Sequence, residues 1–362
     1  MMLRGYGLSW MAWISVLSLA CAPAKALILG GANVPKEKIV VYLLIGHSNM
    51  AGIDFAHADA ATDPHAWTWP IASKQWILAK EPKNGTRAQG LSGHGEGGPG
   101  MPFLKAVAAA YPDAWIGVIN NASLSSTCRG ENTGSNSSTL DPADNRYFKG
   151  TYLYAEIITA AKAVQQDVTL GGILCMLGTV EATRTNETVC RAFSDDVTQL
   201  AKDMRADLGL PNLPFIMGGY ENGATGDFSL TLPLPQIIDA QIKLIPSKLP
   251  FSAVVDTKGI PLLDDHHFAA DKGQPEWAKR ALALIQANKW FPASGSAVFA
   301  AAGAHPGHAP VTLGFGSGAM RIGNGDGIWK ADGRVAPITG TEFAGKAPAW
   351  SPAPAGAQGR DR

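Results

Sequence analysis

Ile39-Val-Val-Tyr-Leu-Leu-Ile45, followed by Gly46-His-Ser-Asn-Met-Ala-Gly52, is the stretch on which the fold turns. Seven apolar residues rich in Val, Ile and Leu read as a strand buried on both faces, as in the middle of a parallel sheet. Gly46 halts the strand, and Ser48 stands two places on, at a tight turn. Two readings of that serine are open. It caps the next helix, or it is a nucleophile presented at a strand's carboxyl end.

Outward from this stretch, strands and helices alternate. Short apolar runs at Ala114–Ile119, Leu170–Leu177, Leu213–Gly218 and Phe251–Asp256 read as four further strands. Helical spacing of apolar residues marks Met101–Tyr111, Tyr152–Gln166, Glu187–Leu208, Pro235–Lys248 and Gln274–Lys289. The alternation predicts an α/β fold in which a five-stranded parallel sheet is the middle layer of a three-layer α/β/α sandwich. Residues 53–97, rich in Trp, Gly, His and Pro, read as an irregular excursion in which Trp67, Trp69 and Trp76 supply packing or, in the rival reading, stack on a sugar.

The chain has 362 residues, 46% of them hydrophobic, enough for one full core with a minor appendage. Thirty Lys and Arg balance thirty Asp and Glu. Without an electrostatic excess the sequence offers no footprint for nucleic acid or an anionic membrane, and a neutral small molecule or polysaccharide suits it better.

Three segments are expected. Residues 1–26 carry Arg4, an apolar run from Leu8 to Leu19 and Ala24-Lys-Ala26, the pattern of a secretory signal cleaved after Ala26. That run is too short to span a bilayer comfortably, so no transmembrane segment is expected after cleavage and the protein is expected to be secreted or periplasmic. Ser18-Leu-Ala-Cys21 offers the alternative of a lipoprotein anchored at Cys21. Residues 27–292 form the main domain, and 293–362 are a Gly/Ala/Pro-rich extension with hairpin signals at Val311–Gly318 and Gly323–Trp329 and a tail of disordered composition. Removing the signal leaves Cys128, Cys175 and Cys190, an odd number, with Cys128–Cys190 the expected bridge and Cys175 a buried hydrophobe.

A serine hydroxyl needs a histidine to take its proton, and the histidine needs a carboxylate to fix its tautomer. Leu263-Asp264-Asp265-His266-His267-Phe268 supplies both residue types. Taken alone, this cluster reads equally as a metal site or a charged helix entrance, and Asp265 with His266 competes with Asp264 and His267. No Gly-x-Ser-x-Gly elbow or His-Glu-x-x-His helix is present, and no Gly-x-x-x-x-Gly-Lys is followed by the Ser or Thr that a phosphate-binding loop needs.

Gly46-His-Ser-Asn-Met-Ala-Gly52 resembles the Gly-Gln-Ser-Asn-Met-Ala-Gly signature of the SGNH-type carbohydrate esterases, the sialate O-acetylesterase and family 6 acetylxylan esterase group. Asp264-x-x-His267-Phe268 is similar to that group's closing motif, and Gly98-Pro-Gly-Met-Pro-Phe103 and Arg205–Phe215 agree in order and spacing. The resemblance implies an SGNH-hydrolase, flavodoxin-like fold and a serine esterase that removes O-acetyl groups from a carbohydrate, with no metal or organic cofactor. It selects Ser48, Asp264 and His267 as catalytic residues, and Ser48, Gly98 and Gly178 as the positions that stabilise the oxyanion. His47, Asn49, Asn121 and Ser123, beside the nucleophile or after the second strand, are the expected substrate-pocket residues.

The sequence departs from these relatives at three places. Leu177 stands where they have Gln, and Thr179 where they have Glu. His47 replaces Gln beside the nucleophile, either donating a compensating hydrogen bond or lying idle at the surface. Leu124-Ser-Ser126 replaces a common Gly-Gly turn. Because losing one oxyanion donor typically costs about a hundred- to a thousand-fold, two alternatives accompany the esterase reading. One is a weakened member that binds glycans; the other is an acyltransferase to a second sugar.

Overall fold

The structure, a computed structural model, describes residues 26–54, 61–81, 97–131, 140–141, 143–221 and 233–292, and four two-residue strands beyond them. The expected signal sequence, apart from Ala26, and Cys21 lie outside the described residues, as does the tail from Lys346. The chain divides into a unit ending at Ala302 and a second from Gly303 to Arg362. Within the second, Phe315–Gly316 pairs with Ala319–Met320 and Ile328–Trp329 with Val335–Ala336, both antiparallel.

In the first unit a hairpin of β1 (Ala26–Leu29) and β2 (Ala32–Pro35) precedes β3 (Ile39–Gly46) and the single-turn helix α1 (Ser48–Ala51). Then follow β4 (Ala66–Thr68), β5 (Ile77–Leu78), α2 (Gly100–Ala110), β6 (Trp115–Asn120), α3 (Tyr152–Gln165) and β7 (Thr169–Met176). The remaining elements are α4 (Thr179–Arg184), α5 (Glu187–Leu208), β8 (Phe215–Gly218), α6 (Pro233–Lys248), β9 (Ser252–Val255) and α7 (Gly273–Ala287).

All five expected strands are present, but the sheet has seven, in the order β5-β4-β6-β3-β7-β8-β9. The two additions, β4 and β5, come from the stretch read as irregular. β4 runs parallel to β6, and β5 closes the edge antiparallel to β4. Two or three residues each are too few to show a period in sequence, and their alignment on β6 is set by tertiary contact. Trp67 and Trp69 are buried and Trp76 packs against the same core, so the packing role of these rings is the one observed.

Successive side chains of β3 point to opposite faces and each face is covered. Ile39, Val41, Leu43 and Ile45 join a core with residues of α3, α5 and α6, whereas Val40, Tyr42 and Leu44 join residues of α2 and α7. This double burial is why β3 reads as an unbroken apolar run. β3 also lies where the strand order reverses, with β6 on one side and β7 on the other. In open α/β sheets ligands bind at the carboxyl end of such a switch point, and Ser48 is there.

The Arg205–Phe215 motif is architectural. Buried Arg205 donates from Nε to the Leu213 carbonyl at 2.8 Å and from an Nη to the Phe251 carbonyl at 2.9 Å, fixing the entries to β8 and β9.

Candidate active site

Gly46 ends β3 at φ +146°, and a Cβ there would lie 2.2 Å from the Met176 carbonyl oxygen. Only glycine lets the chain turn this close to β7. His47 then caps α1, its ring Nδ1 accepting the Asn49 N–H at 3.2 Å. Ser48 is the first residue of α1, where a backbone N–H has no intrahelical acceptor. Gly98, just before α2, packs on this turn: a Cβ at Gly98 would lie 2.6 Å from the Met50 carbonyl oxygen.

The loop between β9 and α7 supplies the partners. Ser48 Oγ and His267 Nε2 are 2.8 Å apart, though 219 residues separate them in sequence. His267 Nδ1 is 2.7 Å from Asp264 Oδ2, and Asp264 Oδ1 accepts the backbone N–H groups of His266 and His267. The competing pair is arranged differently: His266 Nδ1 bonds Asp265, and the His266 ring lies against that of His267 with centroids 3.8 Å apart. Geometry thus joins Ser48 to His267 and Asp264, with Asp265 and His266 beside them. Asp264, His266 and His267 also offer donor atoms within 4.8 Å of one another, a grouping able to hold a metal ion. An ion there would compete with Ser48 and Asp264 for the His267 ring.

Electrostatics suit a neutral imidazole acting as a base. Burial and the neighbouring His266 hold His267 below the usual histidine range, against the opposing pull of Asp264. Burial alone would raise the Asp264 carboxyl, but the N–H of His266, the His267 ring and the His267 N–H outweigh it and hold the group low. His47 is pushed down to about 3, by burial first and then by the neighbouring His267 and His266 rings, so it is uncharged.

Several expected site residues are placed otherwise. Gly178 sits in a left-handed conformation at φ +123°, and its N–H already donates to Glu181 Oε2 at 3.0 Å. Leu177 is buried among the residues on the α3, α5 and α6 side of the sheet. The Gly178 N–H is thus already engaged, and the Leu177 side chain carries no donor. All four expected pocket residues are buried and turned inward. Asn121 donates its amide to the Leu153 carbonyl at 2.8 Å, and Ser123 Oγ donates to Asn145 Oδ1 at 2.7 Å. His47 contacts Thr179 Oγ1 at 3.0 Å, so it is no idle surface residue. Asn49 donates to the His266 carbonyl and accepts the Phe268 N–H, each at 2.8 Å, gripping the chain on both sides of His267. A strand-end rule locates these residues but cannot say which way each side chain turns.

The expected Cys128–Cys190 bridge is absent; Cys128, Cys175 and Cys190 are free and buried. Glu181 explains part of this. Its carbonyl faces Cys190 Sγ at 3.4 Å, while Cys128 Sγ faces the Tyr147 carbonyl at 3.8 Å, so each thiol has a polar partner of its own.

Sequence reasoning missed Glu221. It is buried, one strand-end turn beyond β8, and accepts from Asn49 Nδ2 at 2.8 Å and Thr179 Oγ1 at 2.6 Å. The available signal was the polar residue closing Gly218-Gly-Tyr-Glu221 at a strand's carboxyl end.

Two solved structures share the fold. A protein of Arabidopsis thaliana matches with TM-score 0.52 and 20% identity over 69% of this chain and 98% of its own. NanS matches with TM-score 0.51 and 12% identity over 71% of this chain and 99% of its own. A carbohydrate acetylesterase from Xanthomonas citri is similar at TM-score 0.47 and 20% identity, over 82% of this chain and 69% of its own. Comparison with the curated proteins finds no match. The family model described as carbohydrate esterase, sialic acid-specific acetylesterase matches residues 38–286, which begin just before β3 and end within α7 and so take in Ser48, Asp264 and His267 alike. With that match spanning well over half its length, the chain belongs to the sialic acid-specific acetylesterase family of carbohydrate esterases and is a carboxylic ester hydrolase.

Proposed function

We propose that this protein is a secreted serine esterase that removes O-acetyl groups from a carbohydrate through an acyl-enzyme on Ser48. The observation that carries the reading is the 2.8 Å contact between Ser48 Oγ and His267 Nε2, with Asp264 on the far side of the ring. Asp264 accepts the Nδ1 proton, which leaves Nε2 to accept the serine proton. Ser48 Oγ attacks the acetyl carbonyl as His267 takes its proton. The N–H groups of Ser48 and Gly98 hold the resulting oxyanion. When the tetrahedral species collapses, the sugar oxygen leaves and takes the proton from His267. Water then attacks the acetyl-serine as His267 takes its proton, and collapse releases acetate while Ser48 Oγ recovers that proton from His267.

In the Ser48→Ala variant, acetate release from a panel of acetylated sugars is expected to vanish while circular dichroism stays native. Wild-type-like release from that variant would refute the assignment. Secretion is tested by sequencing the amino terminus of protein recovered outside the cytoplasm, where a start after Ala26 is expected.

One observation favours a second reading, a family member that binds acetylated glycans and turns them over slowly. The Gly178 N–H is committed to Glu181 and Leu177 to the core. An active-site organophosphonate separates the two. Rapid covalent labelling at Ser48 supports the esterase, whereas no labelling together with measurable glycan binding supports the slow binder.

A further inference from the structure

His47 and Thr179, two of the positions at which this chain departs from the relatives it resembles, touch each other across the site. Around them four buried side chains close a ring whose hydrogen-bond directions are determined. The Asn49 N–H donates to His47 Nδ1 at 3.2 Å, so the uncharged ring carries its proton on Nε2. Nε2–H therefore donates to Thr179 Oγ1 at 3.0 Å. Thr179, its oxygen engaged as acceptor, donates its proton to Glu221 Oε2 at 2.6 Å. The ring closes through Asn49 Nδ2, which donates to Glu221 Oε1 at 2.8 Å. Glu221 accepts on both oxygens, in agreement with the directions that start from the Asn49 N–H.

The second Asn49 Nδ2 proton goes to the His266 carbonyl, and Asn49 Oδ1 accepts the Phe268 N–H. An amide has one rotation that serves both bonds, and the Glu221 carboxylate, accepting from the same Nδ2, reinforces it. We infer that Glu221 is a positioning residue: through Asn49 it fixes the backbone on either side of His267, and so the distance from Ser48 to its base. This rests on the proposed esterase reading. In the relatives the carboxylate is expected at position 179 with Gln at 47; here it arrives from the end of β8, with His47 and Thr179 completing the circuit.

The test uses the full-length protein, acetylated sugar turnover and the rate at which an organophosphonate labels Ser48. Glu221→Gln replaces one accepting oxygen by an NH2, which then faces the donor of either Asn49 or Thr179. It is expected to lower kcat and the labelling rate together by about 10- to 100-fold, the cost of a base displaced by a fraction of an ångström to an ångström, with KM within about twofold. Thr179→Val removes one link without removing the carboxylate, and a smaller loss of both rates is expected. Restoring the relatives' pair in a His47→Gln/Thr179→Glu/Glu221→Gln triple variant should recover at least about tenfold of the loss, because the positions act as one unit. A purely structural carboxylate would lower the melting temperature and leave the labelling rate alone.

Wild-type rates in folded Glu221→Gln, or no recovery in the triple variant, overturn the inference. If Glu221→Gln does not fold, Thr179→Val decides it, with wild-type labelling as the overturning result. A wild-type protein that neither releases acetate nor labels at Ser48 sinks the esterase reading instead, a result distinct from either of these.

Discussion

Asp264 holds His267 twice: one carboxylate oxygen faces ring Nδ1 at 2.7 Å, and the other accepts the backbone N–H of the same residue, also at 2.7 Å. One side chain thus sets both the tautomer of the imidazole and the conformation of the turn that carries it. Asp264→Asn should lower kcat by about a thousand-fold or more, since the amide can present its NH2 to Nδ1 and invert the tautomer. Steady-state kinetics with an acetylated sugar checks this, and a loss below tenfold would leave Asp264 as a turn former only.

His267 is held below the ordinary histidine range by burial and by His266. A base of this kind stays unprotonated to lower pH, so the acid limb of kcat/KM is expected below pH 6.5, the ordinary value. Replacing His266 with Asn removes the second cause and should move the limb upward. A pH–rate profile of each protein measures the difference.

Asn49→Ala strips the clamp from both sides of His267 and leaves the buried Glu221 without one donor. Stability should fall by about 2–4 kcal/mol, the cost of several buried polar groups losing partners. Urea denaturation monitors the loss, and turnover should fall alongside it. A variant with wild-type stability would mean the loop is held elsewhere.

Much of this was legible in the sequence. The apolar run at β3 named the central strand because both its faces are covered, and Glu187–Leu208 appears as a helix with the expected limits. Ser48, Asp264 and His267 come together because a motif fixes residue types at defined turns, which sequence records directly. The orientation of neighbours is another matter. Asn121 and Ser123 lie at the expected strand end but turn inward to the Leu153 carbonyl and to Asn145, partners supplied by residues more than twenty places away. Glu221 was invisible for the same reason: its partners, Asn49 and Thr179, lie 172 and 42 residues away. The edge strands β4 and β5 borrow their conformation from β6, so no local period announces them.

Glu181 predicts an unusual dependence of stability on pH. Burial raises its carboxyl from the ordinary 4.5 to about 7, against hydrogen bonds from Cys128 and Gly178 that favour the charged form. The folded state therefore keeps a proton that the unfolded chain has released. Stability should fall as pH rises from 4.5 to about 7, by roughly 3 kcal/mol from this group, and level off above. Denaturation across that window, compared with Glu181→Gln, isolates the contribution; an unchanged slope in the variant would assign it to another group.

Burial raises the Cys128 and Cys175 thiols well above their usual range, and Cys190 is raised too. Native protein should resist a water-soluble maleimide at all three, each reacting only after unfolding, and reductant should leave the melting temperature unchanged. Peptide mass spectrometry reads the sites. A reductant-sensitive melting temperature would reveal a bridge.

The clamp that joins Asn49 to the loop around His267, and that Gln274 of α7 reinforces by donating to the Asn49 carbonyl at 2.9 Å, has a temporal meaning. During synthesis the serine emerges 219 residues ahead of its base. On the proposed esterase reading, that serine is an ordinary alcohol until the loop before α7 brings His267 to it. On that reading, reactivity waits for completion of the fold itself.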